Sequence, residues 1–203
     1  MKLIKLIPFI ITFCWITNLS AQPLNLVTST LPPFAYVEDE KLKGVAVKIV
    51  KMVFKEMKQD INIEVMPWAR AILYVKEGKR DAIFTAYKNP IREKFADYSK
   101  EVLIPQVLSF FVRKDASINF QGDFKPLSDY SIGVVRKLSY GRDLDFALSN
   151  NIFRKVEAVN NGTQNFRKLL LGRIDMVPDN KYAGLHILNK LEKMDEIRVL
   201  PYN

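Results

Sequence analysis

Few side chains in this protein can do covalent or metal chemistry: its 203 residues hold one histidine, His186, and one cysteine, Cys14. A metal site of the usual kind needs several His or Cys ligands, and a nucleophilic triad needs a histidine beside an activated hydroxyl or thiol. Only His186 could serve either purpose, and it falls in an apolar-periodic run, Tyr182 to Leu191, where a lone polar residue on a helix is the simpler reading. Cys14 lies in a segment expected to be removed, so the mature chain has neither thiol catalysis nor disulfide bracing. The carboxylates form no distinctive acid–base pair. What remains are guanidinium, carboxylate, aromatic and hydroxyl groups that can hold a solute without transforming it. No catalytic residue, metal or cofactor is assigned.

The elements that must position such groups begin after residue 21. Lys2 and Lys5 precede an apolar run, Leu6 to Ile16, which gives way to small polar residues ending at Ala21, the pattern of a secretory signal cleaved after Ala21. The run is shorter than the about 20 residues that span a bilayer. Phe13 stands where a lipidated cysteine would be preceded by a small residue. The composition, 48% hydrophobic and 26% charged, is that of a folded globular chain with room for one large domain or two small ones. The net charge is +9, and losing Lys2 and Lys5 leaves 9 − 2 = +7. Lys and Arg are spread along the chain without interleaved aromatics, which argues against nucleic-acid binding and leaves a basic surface that favours anionic partners.

Leu24 to Ser29 alternates like a first strand, and Leu31-Pro32-Pro33-Phe34-Ala35-Tyr36 reads as a rigid loop. After Gly44, Val45, Ile49, Met52, Val53 and Met57 fall at helical spacing with lysines on the other face, and Ile61 to Val65 alternates as a strand. Pro67 opens a helix that carries Trp68, Ile72 and Val75 and closes at Gly78; Asp81 to Thr85 follows as a short strand. The same unit returns later. Gly162-Thr163 opens a helix with Phe166, Leu169 and Leu170, Gly172 closes it, and Asp175-Met176-Val177 is the next strand. The two copies of Gly-x-x-Asp, at 78–81 and 172–175, lie 172 − 78 = 94 positions apart, about one small α/β lobe, and predict two similarly built lobes. Ile132 to Val135 opens the second lobe, and Val107 to Val112 is an extended connector, a candidate hinge. The sequon at Asn161 coincides with a helix start, which favours a structural role.

Several of these residues form a known pattern. Pro67-Trp68-Ala69-Arg70-Ala71-Ile72, Gly78-x-x-Asp81-Ala82-Ile83, Ala86-Tyr87-x-x-Pro90-x-Arg92 and Phe95-x-x-Tyr98-Ser99 follow one another as in the bacterial periplasmic solute-binding proteins of the polar amino acid ABC-transporter type, which the chain resembles. The resemblance continues through Ser139-Tyr140-Gly141 and Leu170-x-Gly172-Arg173-Ile174-Asp175 and covers nearly all the mature chain. It implies an α/β, two-lobed periplasmic binding protein-like fold (type II): signal 1–21, first lobe 22–106, hinge strand 107–112, second lobe 113–203. It also implies a periplasmic, monomeric receptor, not an enzyme, that holds a small polar or anionic solute, an amino acid or related carboxylate, and delivers it to a membrane ABC permease.

An α-carboxylate is held by a bidentate guanidinium and helix N-terminal N–H groups, and an α-ammonium by a carboxylate. The resemblance places Arg92 as the carboxylate clamp, Trp68 as the aromatic platform, and Tyr36, Arg70 and Tyr87 near the same mouth. Ser139 and Tyr140 match the anion-binding turn of the second lobe, and Asp179, with Asn180 as the adjacent alternative, the ammonium-binding acid. Leu31 stands where many relatives carry an aromatic residue and Lys137 where they carry a glycine, which weakens the assignment of a standard amino acid. The chain also ends before the segment that returns to the first lobe in the family, so that lobe is expected to be incomplete. An extracytoplasmic sensory module, an enzyme on the same scaffold and a truncated nonfunctional relative are the alternatives.

Overall fold

The computed structural model describes residues 22–202; the expected signal, residues 1–21, lies outside them. The first lobe is built on a parallel sheet of order β4-β1-β5, with β1 Leu24–Thr28, β4 Ile61–Val65 and β5 Ala82–Ile83. Between β1 and β4 come a hairpin, β2 Tyr36–Glu38 with β3 Lys41–Lys43, and helix α1 Val45–Glu56; α2 Trp68–Lys76 joins β4 to β5. The second lobe repeats the scheme. β7 Ser131–Val135 is flanked in parallel by β8 Lys155–Val159 and β9 Met176–Asn180, with α3 Arg142–Ser149 and α4 Gly162–Leu170 as crossovers. In each unit the first strand takes the middle place, the second strand one side and the third the other. The likeness read from two short motifs is a shared topology.

The motifs show why. Gly78 and Gly172 stand just past α2 and α4 with φ of 67° and 66°, a left-handed turn that glycine enters without Cβ strain. Gly78 N donates to Val75 O and Lys79 N to Tyr74 O; Gly172 N donates to Leu169 O and Arg173 N to Lys168 O. Three residues on, the aspartates tie the returning chain to the first strand of each lobe. Asp81 Oδ2 accepts from Asn25 N at 2.7 Å, and Asp175 Oδ2 from Ser131 N at 2.8 Å. The repeated Gly-x-x-Asp stops a helix and sets a strand register.

The run 107–112 forms β6 Leu108–Arg113, which lies inside the second sheet, order β10-β6-β9-β7-β8, between β9 and β10 Ile197–Pro201 and antiparallel to both. Five buried residues in succession suit a strand covered on both faces. Phe110 enters one core with Leu144 and Phe153, and Phe111 enters the opposite core with Phe166 and Leu188. The approach on the second side is close, since a Cβ on Gly184 of α5, Lys181–Lys190, would stand 2.2 Å from the Phe111 ring.

Helix α1 forms where the spacing predicts it but turns a different face inward. Ala46, Val47 and Val50 are buried, with Phe54 beside them, while Val45, Met52, Val53 and Met57 are exposed. The helix is apolar on two sides, and its first turn fixes the choice. Gly44, at φ 125°, lets Ala46 N reach Phe34 O at 2.9 Å, so the Leu31–Tyr36 loop sits on the helix start; a Cβ there would meet Phe34 O at 2.2 Å. Among the described residues no helix is long and apolar enough to cross a membrane.

Candidate ligand-binding site

In an open parallel sheet the carboxyl ends of the strands border a crevice, because the connections diverge there. Here both lobes turn those ends toward each other around one cavity of about 240 Å³. The first lobe lines it with Ser29 to Pro32 beyond β1, Val65 to Trp68 at the end of β4 and Thr85 beyond β5. The second lobe supplies Val135 and Leu138 from the end of β7, Asn160 to Gly162 beyond β8, Asp179 in β9 and Ile187 on α5.

Among the described residues Asp179 is the only charged one in that lining, and it is 7% exposed. Its Oδ1 accepts from Asn180 N at 2.8 Å; among the described residues no donor reaches Oδ2. Burial pushes the carboxyl up to about 7, opposed only by that one backbone bond. The neighbouring Asn180 serves the backbone instead, since its Oδ1 accepts from Tyr182 N and Ala183 N and caps α5. Asp179 and not Asn180 therefore faces the cavity. Access to it depends on Gly162, the first residue of α4, because a Cβ there would stand 3.0 Å from Asp179 Oδ2. Asn161 caps that helix by accepting from Gln164 N, the structural role expected of the sequon.

Trp68 is 2% exposed, lines the cavity, and donates its indole N–H to the Lys137 carbonyl at 2.9 Å. Arg92 lies over the Trp68 ring at 5.2 Å and is absent from the cavity lining. Its Nη1 donates to Tyr87 O at 2.7 Å and its Nη2 to the same Lys137 O at 3.1 Å. Lys137 has φ 60°, the region glycine favours, and its carbonyl thereby reaches two donors of the other lobe. Burial lowers the Arg92 pKa, with Tyr98 and Asp145 acting against it. Ser139 and Tyr140 also turn away from the cavity. Ser139 Oγ and Tyr140 N both donate to the Asp145 carboxylate, and the Tyr140 hydroxyl, in the core of the second lobe, accepts from Val135 N.

The model of the bacterial extracellular solute-binding proteins, family 3, matches residues 25–191. The chain belongs to this family. Solved structures agree on the fold. An ancestral arginine-binding protein bound to arginine superposes with a TM-score of 0.77 at 21% identity, covering 90% of this chain and 80% of that one. A histidine kinase sensor domain with similarity to periplasmic binding proteins gives 0.76 at 13%, covering 90% and 78%. The substrate-binding protein of an amino acid ABC transporter gives 0.70 at 20%, covering 88% and 78%. No curated protein sequence matches.

Of the eight side chains that the sequence nominates in this family 3 protein, the structure brings Trp68 and Asp179 to the cavity. Tyr36 sits on β2 with its ring 5.8 Å from that of His186, a contact between the lobes. Arg70 is exposed on α2. Tyr87 is half-buried, its hydroxyl pushed up to about 12 by burial, and its carbonyl is shared by Arg92 and Tyr98. Arg92, Ser139 and Tyr140, which the resemblance places at the solute, lie outside the cavity lining and bond to backbone carbonyls, a backbone N–H or Asp145. An anionic solute would meet Asp179 with no cation opposite it. Thr85, Asn160 and Gly162 went unforeseen, although each stands just past a strand of the repeated unit, a position the strand assignment could have flagged. Among the described residues no group of three or more His, Cys, Asp or Glu could hold a metal.

Proposed function

We propose that the protein is an exported periplasmic receptor that captures a small amine-bearing solute, an amino acid or a close relative, between its lobes and delivers it to a membrane ABC transporter. One observation carries this reading: a carboxyl group, nine-tenths buried, faces an otherwise uncharged cavity with an oxygen free. An ammonium supplies the charge and the donors that such a group lacks. Closure of two lobes around the solute then buries it and gives a partner a distinct surface to read. The ancestral relative that holds arginine offers a precedent for the solute class.

A thermal-shift screen of the purified protein against amino acids, amines and small organic acids tests this. At about 100 times Kd a ligand adds about 2.7 kcal/mol, which raises Tm by about 5–10 °C for a chain of this size. A saturable rise with an amine-bearing solute is the expected result. A cooperative melt that none of them moves would contradict it. Copurification with a permease supports transport, and copurification with a sensor kinase would reassign the receptor to signalling.

A further inference from the structure

Two groups near the cavity that the resemblance assigns to an anion, Arg92 and the turn before α3, already bond within the chain. Arg92 is 5% exposed, with Nη1 and Nη2 each donating to a backbone carbonyl and its guanidinium carbon 5.2 Å from the centre of the Trp68 ring. Two of its five N–H groups are thus spent on the chain, and the guanidinium stands outside the cavity lining. In the second lobe the turn before α3 offers a hydroxyl and an N–H, and both hold the carboxylate of Asp145. The anion place in the turn is thus taken by an acid four residues beyond the α3 N-cap, Gly141. Asp145, on the second lobe, also supports the charge of Arg92 on the first.

Asp179 is in the opposite condition: its Oδ2, beside Gly162, meets no donor among the described residues, and the cavity it lines carries apolar Leu31, Val65, Leu138 and Ile187 beside uncharged Ser, Thr and Asn side chains. We infer that this cavity selects a compact organic monocation with an apolar body and no carboxylate of its own, an alkyl or aryl amine by class, with Asp179 as its counter-ion and Asp145 filling the place of a ligand carboxylate. This rests on the receptor reading above and narrows its ligand. A free amino acid would bring a second charge into a cavity that offers it no cation, and burying an unpaired carboxylate is costly. The amine lacking that carboxylate carries no such penalty.

Calorimetric titration with matched triplets of amino acid, decarboxylated amine and deaminated acid separates these cases: leucine, isoamylamine and 4-methylpentanoate; phenylalanine, phenethylamine and 3-phenylpropanoate. The expected result is that an amine binds at least about tenfold more tightly than its amino acid, with no binding of the acid, since the difference is one unpaired buried charge. Gly162→Ala, which crowds Asp179 Oδ2 without removing its charge, weakens the amine. Asp145→Ala frees the turn and narrows the gap between amino acid and amine. An amino acid that binds the wild-type protein more tightly than its amine overturns the inference and leaves the receptor reading standing. No saturable binding by any of the six overturns both.

Discussion

Asp179 ties stability to pH with a sign opposite to that of most carboxylates. Its ordinary value is 3.8, and burial raises it to about 7 in the folded chain. Between those values the folded state binds the extra proton, so stability falls as pH rises from about 4 to about 7. Asp179→Asn removes that dependence. Melting curves from pH 4.5 to 8 are expected to show the variant gaining on the wild type as pH rises; parallel curves would say that Asp179 is ionised at low pH as usual. Asp175 works in the other direction. Although burial opposes it, the Ser131 donors, with Arg154 and Arg113, hold its carboxyl below the ordinary value, so its contribution is lost only as pH falls below that range. At this scale the residue order nominates Asp179 and Trp68, which line the cavity, and also Arg92, Ser139 and Tyr140, which do not. Whether a donor faces a ligand or a carbonyl depends on φ at Lys137 and on the turn that brings Asp145 back to Ser139, and neither leaves a pattern in the residue order.

Elements were more legible than contacts. Helices, parallel strands and the doubled unit follow from periodicity and from glycines at helix ends, since local backbone demands are written locally. The face that α1 buries was not legible, because the helix is apolar on two sides and the choice is made by Phe34 O on its first turn. Two sets of variants test this level. Asp175→Ala leaves Ser131 N without its side-chain acceptor and should cost about 1–3 kcal/mol in urea unfolding, with Asp81→Ala near the lower end because its bond to Asn25 is exposed. Equal, negligible effects would mean that the aspartates do not set the strands. On α1, Met52→Lys should change stability by less than about 0.5 kcal/mol, whereas Val47→Ala, from 2% exposure, should cost about 1 kcal/mol or more. A large loss for Met52→Lys would contradict the assigned face.

For the whole molecule, the lobes meet around the cavity through few groups. Trp68 and Arg92 share the Lys137 carbonyl, Lys190 pairs with Glu38 at 2.9 Å, and Tyr36 lies against His186. The exposed ion pair adds little, and Asn180 Nδ2 donates to Gln106 Oε1 at 3.3 Å, so the Lys137 carbonyl, with two donors, is the tie that crosses beside the cavity. Arg92→Ala removes one of its two donors while Tyr98 still satisfies Tyr87 O. The ligand-free variant is expected to have a larger radius of gyration in solution scattering than the wild type; an unchanged value would mean that apolar contact alone holds the lobes together. In the proposed receptor, closure and recognition meet at one place, the carboxylate between the two sheets. The most direct measurement is a calorimetric titration of the best-binding amine-bearing solute into the wild type and into Asp179→Asn, with melting curves of both. The account predicts one saturable site in the wild type and at least about a hundredfold weaker binding in a variant that still melts cooperatively. Undiminished binding by the folded variant would place the solute elsewhere and contradict the assignment.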